Sequence, residues 1–301
     1  MDSSIRRGSL EMIVAMLISG TIGWFVLVSG QPVLEVVFWR CVFGAGALLV
    51  ICASLGLLKS GVISRGAVLL AIVSGVAIVG NWVLLFASYS RASIAIGTAV
   101  YNVQPFLLVG LAAVFLGEKI TLAKLSWLGV AFVGMLAIVS AHGNGQSSGS
   151  DYLLGIALAL GAALLYAVAA LIIKRLSGTP PHLIALIQVS TGIVLLAPWV
   201  KPGGLPAELP ALASLLTLGI VHTGLMYVLL YSAIQRLPTA LTGALSFIYP
   251  IAAILVDWFA FGHRLAPLQW LGVALILLAA AGMQQGWWFR APGKAAPRPC
   301  D

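Results

Sequence analysis

The sequence predicts an all-α integral membrane protein of ten transmembrane helices, built as two inverted five-helix repeats with both termini cytoplasmic. Three observations predict it. The 301 residues are 61% hydrophobic and 8% charged, against ~25% charged in a soluble domain, and mean hydropathy is +1.10. A soluble globule with so little polar surface would aggregate. Apolar runs of membrane-spanning length follow one another along the whole chain. The few basic residues fall overwhelmingly on one side of those runs.

A helix crossing a bilayer needs ~20 mostly apolar residues. Cutting the chain at charges, Pro/Gly clusters and polar runs leaves spans at 9–29, 33–58, 67–89, 93–116, 122–141, 152–174, 182–200, 209–231, 238–260 and 267–288. The first follows Arg6 and Arg7, as a secretory signal would, but further spans come at once without a clear cleavage site, so it is read as a membrane helix. The connections are short apart from 142–151 and 201–210, which leaves no room for a soluble domain. A transmembrane barrel would show alternating segments of ~10 residues; these runs are unbroken. Cys41, Cys52 and Cys300 form no paired spacing, so neither a disulfide framework nor a zinc site is expected.

Cytoplasmic loops carry the excess of Lys and Arg. With the N-terminus inside, 12 basic residues lie on the cytoplasmic side (among them Arg65, Lys119, Lys124, Lys174, Arg175 and Arg236) and 3, Arg91, Lys201 and Arg264, lie outside. Only Arg40 falls within a span. An odd number of spans would scramble this alternation. The net charge of +8 is thereby explained by membrane orientation, and no nucleic-acid partner is expected.

Residues 90–134 and 235–277 correspond. Arg91 matches Arg236, Pro105 matches Pro250 and Gly117 matches Gly262, all at an offset of 145, and WLGVA recurs at 127–131 and 270–274. The chain divides into repeats at 1–145 and 146–301. Five spans per repeat is odd, so the second enters the membrane upside down, the arrangement from which many transporters build two gates around one central site.

These features resemble the drug/metabolite transporter superfamily of EamA type. The resemblance is carried by the Ala-rich starts of spans four and nine, by Pro105 and Pro250, by LGEK at 116–119 and by the repeated WLGVA. It is similar, more narrowly, to bacterial amino-acid exporters, including the aromatic type. FGHR at 261–264 departs from the LGE-like pattern, so Glu118 has no symmetric counterpart. The resemblance implies solute export across the inner membrane by alternating access.

Polar groups at mid-membrane depth are the candidate site, because an unpaired amide or hydroxyl in hydrocarbon costs a few kcal/mol and must face the bundle interior. They are Trp24, Asn81, Trp82, Tyr101, Asn102, Gln104, Tyr166, Gln188, His222, Tyr227, Ser246 and Tyr249. Each one singly is as readily an inter-helix hydrogen bond as a substrate contact. Together, aromatics and amides suit a neutral or zwitterionic organic solute and not a metal ion, which wants clustered carboxylate, His or Cys ligands. No cofactor is implied. Pro105 and Pro250 remove backbone donors in mid-span and are candidate kinks or gates. Arg40, seven residues into span two, either snorkels, pairs with Asp257 across the outer side, or receives a substrate carboxylate. Glu118 opposes the helix dipole at the end of span four and is expected to pair with Lys119, Lys124 or a neighbouring helix. No acidic residue sits clearly at the centre of a span, so an Asp/Glu proton relay is not expected.

Within the spans no GxSxG, HExxH or paired His/Asp motif occurs, and an enzyme is not expected. The leading reading is a secondary transporter exporting amino acids or related small metabolites. The alternatives are multidrug or organic-cation efflux and a structural membrane subunit.

Overall fold

A computed structural model describes residues 3–59, 61–140, 150–201, 204–249, 251–252, 255–256, 267–285 and 287. All regular structure among them is helical: α1 (Ser3–Ser19), α2 (Ile22–Ser29), α3 (Val33–Ser54), α4 (Arg65–Tyr101), α5 (Gln104–Leu116), α6 (Leu122–Ser140), α7 (Ser150–Arg175), α8 (Pro181–Leu196), α9 (Leu209–Gly219), α10 (Met226–Arg236), α11 (Thr239–Ser246) and α12 (Pro267–Gln285). A π-helical turn, Ile220–Leu225, joins α9 to α10. Among the described residues six helical segments are long and apolar enough to cross a membrane: Ser3–Ser29, Val33–Ser54, Arg65–Tyr89, Asp151–Arg175, Pro181–Trp199 and Leu209–Arg236. Gln104–Leu116, Leu122–Ala137 and Trp270–Met283 are shorter apolar helices. Large aliphatic side chains such as Val50, Leu69, Val114 and Val194 point outward, as they do where the surrounding solvent is lipid.

The helical hydrogen bonding of α4 continues through residues 90–93, yet the chain doubles back there. Asn81 Nδ2 lies 3.3 Å from the Tyr101 hydroxyl, whereas a straight helix would hold residues twenty apart about 30 Å from each other. Gly97 sits against Ser88 and Tyr89, and a Cβ on it would come within 2.7 Å of Ser88 Oγ. This segment therefore contains the third expected span and the start of the fourth. The fourth is then broken at Asn102–Val103, and Pro105 occupies the first turn of α5, where a missing backbone donor costs nothing. In the second half α11 ends at Ser246, and its cap, Phe247, stands 145 positions after Asn102. Pro250 lies outside the described residues.

The helices pack in a consistent pattern. α1 lies on α10 and α4 on α7, so the first helix of each half meets the third of the other. α3 packs on α8, α5 on α11 and α6 on α12, each meeting its own counterpart. Small residues allow the close approaches. A Cβ on Gly44 would lie 2.8 Å from Thr223 Cγ2 of the π turn, and one on Gly134 would lie 2.7 Å from the Gly272 carbonyl oxygen. Gly46 and Gly129 face open space instead.

Candidate functional site

A cavity of about 60 Å³ lies in the middle of the bundle. Its wall draws on α1 and the start of α2 (Met16, Ser19, Ile22, Gly23), α3 (Arg40), α4 (Asn81, Trp82, Leu85, Phe86, Tyr89, Tyr101), α5 (Gln104), α7 (Tyr166) and α10 (Met226, Tyr227, Leu230), with Tyr249 beyond α11. A water needs ~10–15 Å³ on this measure, so the cavity holds a few waters and must widen to take an organic solute.

The aromatic wall is held by hydrogen bonds across the halves. Trp82 Nε1 donates to the Tyr227 hydroxyl at 2.7 Å, and these two residues stand 145 apart, the offset of the repeat. Tyr227 meets Tyr231 edge to face, as Tyr101 meets Tyr166. Asn81 Nδ2 reaches the Ala162 carbonyl at 2.7 Å, joining α4 to α7.

Arg40 is fully buried, so it does not snorkel. Asp257 lies outside the described residues, and Arg40 takes other partners. Its Nε donates to Thr223 Oγ1 at 2.7 Å and its Nη2 to the His222 carbonyl at 3.3 Å. Both acceptors belong to the π turn, and an ordinary α-helical register there would aim them elsewhere. The guanidinium stacks 4.0 Å from the Trp82 ring centroid and 5.8 Å from that of Tyr227. Its Nη1 has no hydrogen-bond partner, and neither does Gln104 Oε1.

Eight of the expected residues thus meet around one cavity: Arg40, Asn81, Trp82, Tyr101, Gln104, Tyr166, Tyr227 and Tyr249. Others sit elsewhere. Gln188 is a lock between helices, donating to Ser74 Oγ at 2.7 Å and accepting from the Tyr231 hydroxyl. His222 is wedged between the Thr21 hydroxyl, 2.6 Å away, and the Thr217 carbonyl, where it ties the α1–α2 break to α9. Ser246 donates to the Thr242 carbonyl of its own helix. Asn102 is buried at the α4–α5 break but is not part of the wall. Trp24 is 37% exposed and packs on Phe25. Sequence reasoning missed Ser19, Phe86 and Tyr89. Phe86 and Tyr89 follow Trp82 at helical spacing, a signal that the helix face alone carried.

At one end of the bundle the halves are tied by charge. Arg236 Nη1 pairs with Glu11 Oε2 at 2.5 Å, and Arg7 pairs with Glu11 Oε1 at 3.0 Å. Ser232 donates to Glu11 at 2.6 Å. Lys174 Nζ pairs with Glu118 Oε1 at 3.3 Å, and the Thr239 hydroxyl donates to the same oxygen at 2.6 Å. Glu118 therefore finds its partners on neighbouring helices of the other half, and Lys124 Nζ bonds the Lys119 carbonyl instead. Lys174 also caps the Leu237 carbonyl, so both groups of charges flank the turn at Leu237. The cavity begins about 8 Å above them, five residues along α1 and six along α10. Among the described residues no three His, Cys, Asp or Glu side chains gather to hold a metal.

The model of the EamA-like transporter family matches residues 6–140 and again 153–284. "Uncharacterized transporter YxxF" of Bacillus subtilis is 30% identical over 277 residues, covering 90% of this chain and 88% of that protein. A "Probable terminal-alkyne amino-acid exporter" of Streptantibioticus cattleyicolor is 28% identical over 65% of this chain and 64% of its own length. A "Riboflavin transporter" of Rhizobium johnstonii is 27% identical over 91% of this chain and 89% of its own. One solved crystal structure shares the fold at a TM-score of 0.78 and 20% identity, over 91% of this chain and 96% of that one. With two family matches that together span nearly all of an apolar helical bundle, this chain is an integral membrane protein of the EamA-like transporter family, within the drug/metabolite transporter superfamily.

Proposed function

We propose that the protein is a secondary carrier that exports amino acids or related small metabolites across the inner membrane by alternating access. The observation that carries this reading is the central cavity: aromatic faces, the amides of Asn81 and Gln104 and one guanidinium, enclosed by helices of both halves. The symmetric packing of α1 on α10 and α4 on α7 supports two inverted five-helix repeats, 1–145 and 146–301, and ten spans with cytoplasmic termini agree with the charge bias of the loops. On that orientation the ion-paired end faces the cytoplasm. The halves rock about the broken helices at Asn102–Val103 and Phe247, the ion pairs at Glu11 and Glu118 separate, and the cavity widens toward the cytoplasm to load. Reclosing them turns the solute toward the other side.

Organic-cation efflux is the weaker reading. The cavity carries a fixed positive charge and no acidic residue among those lining it, so a cation meets repulsion. The test is counterflow in proteoliposomes with a panel of amino acids and cationic dyes. Saturable exchange of amino acids is expected; exchange of dyes alone, or an ohmic current, overturns the reading.

A further inference from the structure

Arg40 presents an unusual balance. Its side chain is wholly buried at mid-bundle, two of its three nitrogens are engaged by neutral oxygens, its third, Nη1, is buried without a partner, and the residue belongs to the cavity wall. The acidic residues Glu11 and Glu118 are committed to Arg236 and Lys174 at the closed end. Among the described residues no carboxylate pairs with Arg40; a buried cation without a counter-ion is costly, and hydroxyl, carbonyl and ring faces offset that cost only in part. The arrangement also fixes the guanidinium plane, because Trp82 stacks on one face while Thr223 and His222 hold one edge. Nη1 is left offering its hydrogens in a set direction. Gln104 belongs to the same wall, and its Oε1 is a buried acceptor with no donor.

We infer that Arg40 Nη1 is the anchor for a substrate carboxylate and that Gln104 Oε1 accepts a hydrogen from the same solute. This rests on the carrier reading above and narrows it to small monoanionic or zwitterionic carboxylates. One guanidinium with one free nitrogen matches a carboxylate's single charge and leaves a phosphate dianion undercompensated. The ring faces of Trp82, Tyr166 and Tyr227 suit a flat apolar side chain. A zwitterion is favoured over a simple acid because the Gln104 oxygen then meets an ammonium, and charge-assisted hydrogen bonds are the stronger ones.

The test uses purified full-length protein and three probes of one shape: L-phenylalanine, phenylalanine amide, which lacks the carboxylate, and 3-phenylpropionate, which lacks the ammonium. Calorimetric titration is expected to show phenylalanine binding at least tenfold tighter than its amide. Arg40→Met should erase that preference and Arg40→Lys should keep part of it. Gln104→Leu should bring phenylalanine down to the level of 3-phenylpropionate. The wild-type comparison stands even where a variant fails to fold. Equal affinity for acid and amide overturns the inference, as does an acid preference that survives in a folded Arg40→Met. Failure of both carboxylates to bind, with chloride but not gluconate raising Tm, also overturns it and marks an inorganic-anion site. The same probes in counterflow separate the two readings. Equal exchange of acid and amide leaves the carrier standing and the anchor refuted, whereas carboxylate-selective binding without exchange leaves the anchor standing and the carrier refuted.

Discussion

Gln188 and Arg40 show what a polar residue in an apolar span does and does not disclose. Depth alone says that each must be satisfied, because hydrocarbon offers no partner; it does not say by what. Gln188 commits its amide to Ser74 and Tyr231, binding α8 to α4 and α10, and does not line the cavity. Gln188→Leu should therefore destabilise the protein by the roughly 1–3 kcal/mol that orphaned buried groups cost, seen as a lower Tm in detergent, while the preference among bound solutes stays as in the wild type. A changed preference at unchanged Tm would place Gln188 in the site after all. For Arg40 the sequence left snorkelling, an Asp257 pair and a carboxylate open, since the groups that hold it are Thr223 and the His222 carbonyl, more than 180 positions away. Trp82 and Tyr227 were legible one by one. Their direct contact was also encoded, in the repeat offset that separates them, but only once the halves are known to face each other.

At the scale of elements, the π turn governs the site. It rotates His222 and Thr223 so that one carbonyl and one hydroxyl converge on Arg40, and α3 approaches it closely enough that Gly44 has no room for a side chain. Gly44→Ala should push Thr223 away from the guanidinium. The expected result is a loss of about 1–3 kcal/mol in stability, with weaker binding of carboxylate solutes in the fraction that stays folded. Unchanged melting and binding together would show that α3 and the π turn have more freedom than the packing implies. Such a turn leaves no mark in the sequence: Ile220–Leu225 contains no proline and reads as continuous helix. The break at Asn102–Val103 was legible because Pro105 cannot donate a backbone hydrogen bond. The reversal within α4 was legible as the charged interruption at Arg91, although its hydrogen bonding runs on without a gap.

For the whole molecule, the two halves meet through matched helices but are fastened by charge near Leu237, where Glu11 and Glu118 of the first half hold Arg236 and Lys174 of the second. Partly exposed pairs of this kind contribute ~0.5–1 kcal/mol each. Glu11→Gln and Glu118→Gln should each raise the population open at that end roughly 2–5-fold, by the conversion of free energy to equilibrium ratio. The readout is the labelling rate of a single cysteine at Ser19, with the native cysteines replaced, by an impermeant thiol reagent applied from the N-terminal face. Unaltered labelling in the double variant would show that the pairs merely decorate the end. Among the described residues the repeat carries no matching ion pair at the other end. Arg236 recurs as Arg91, which bonds the Ala87 carbonyl of its own helix, and Glu118 recurs in the sequence as His263. Among the described residues the latch therefore belongs to one end of the bundle. Salt acts on such a latch by screening it, so raising the ionic strength at the N-terminal face should open that end and speed the same Ser19 labelling, with no solute or gradient present.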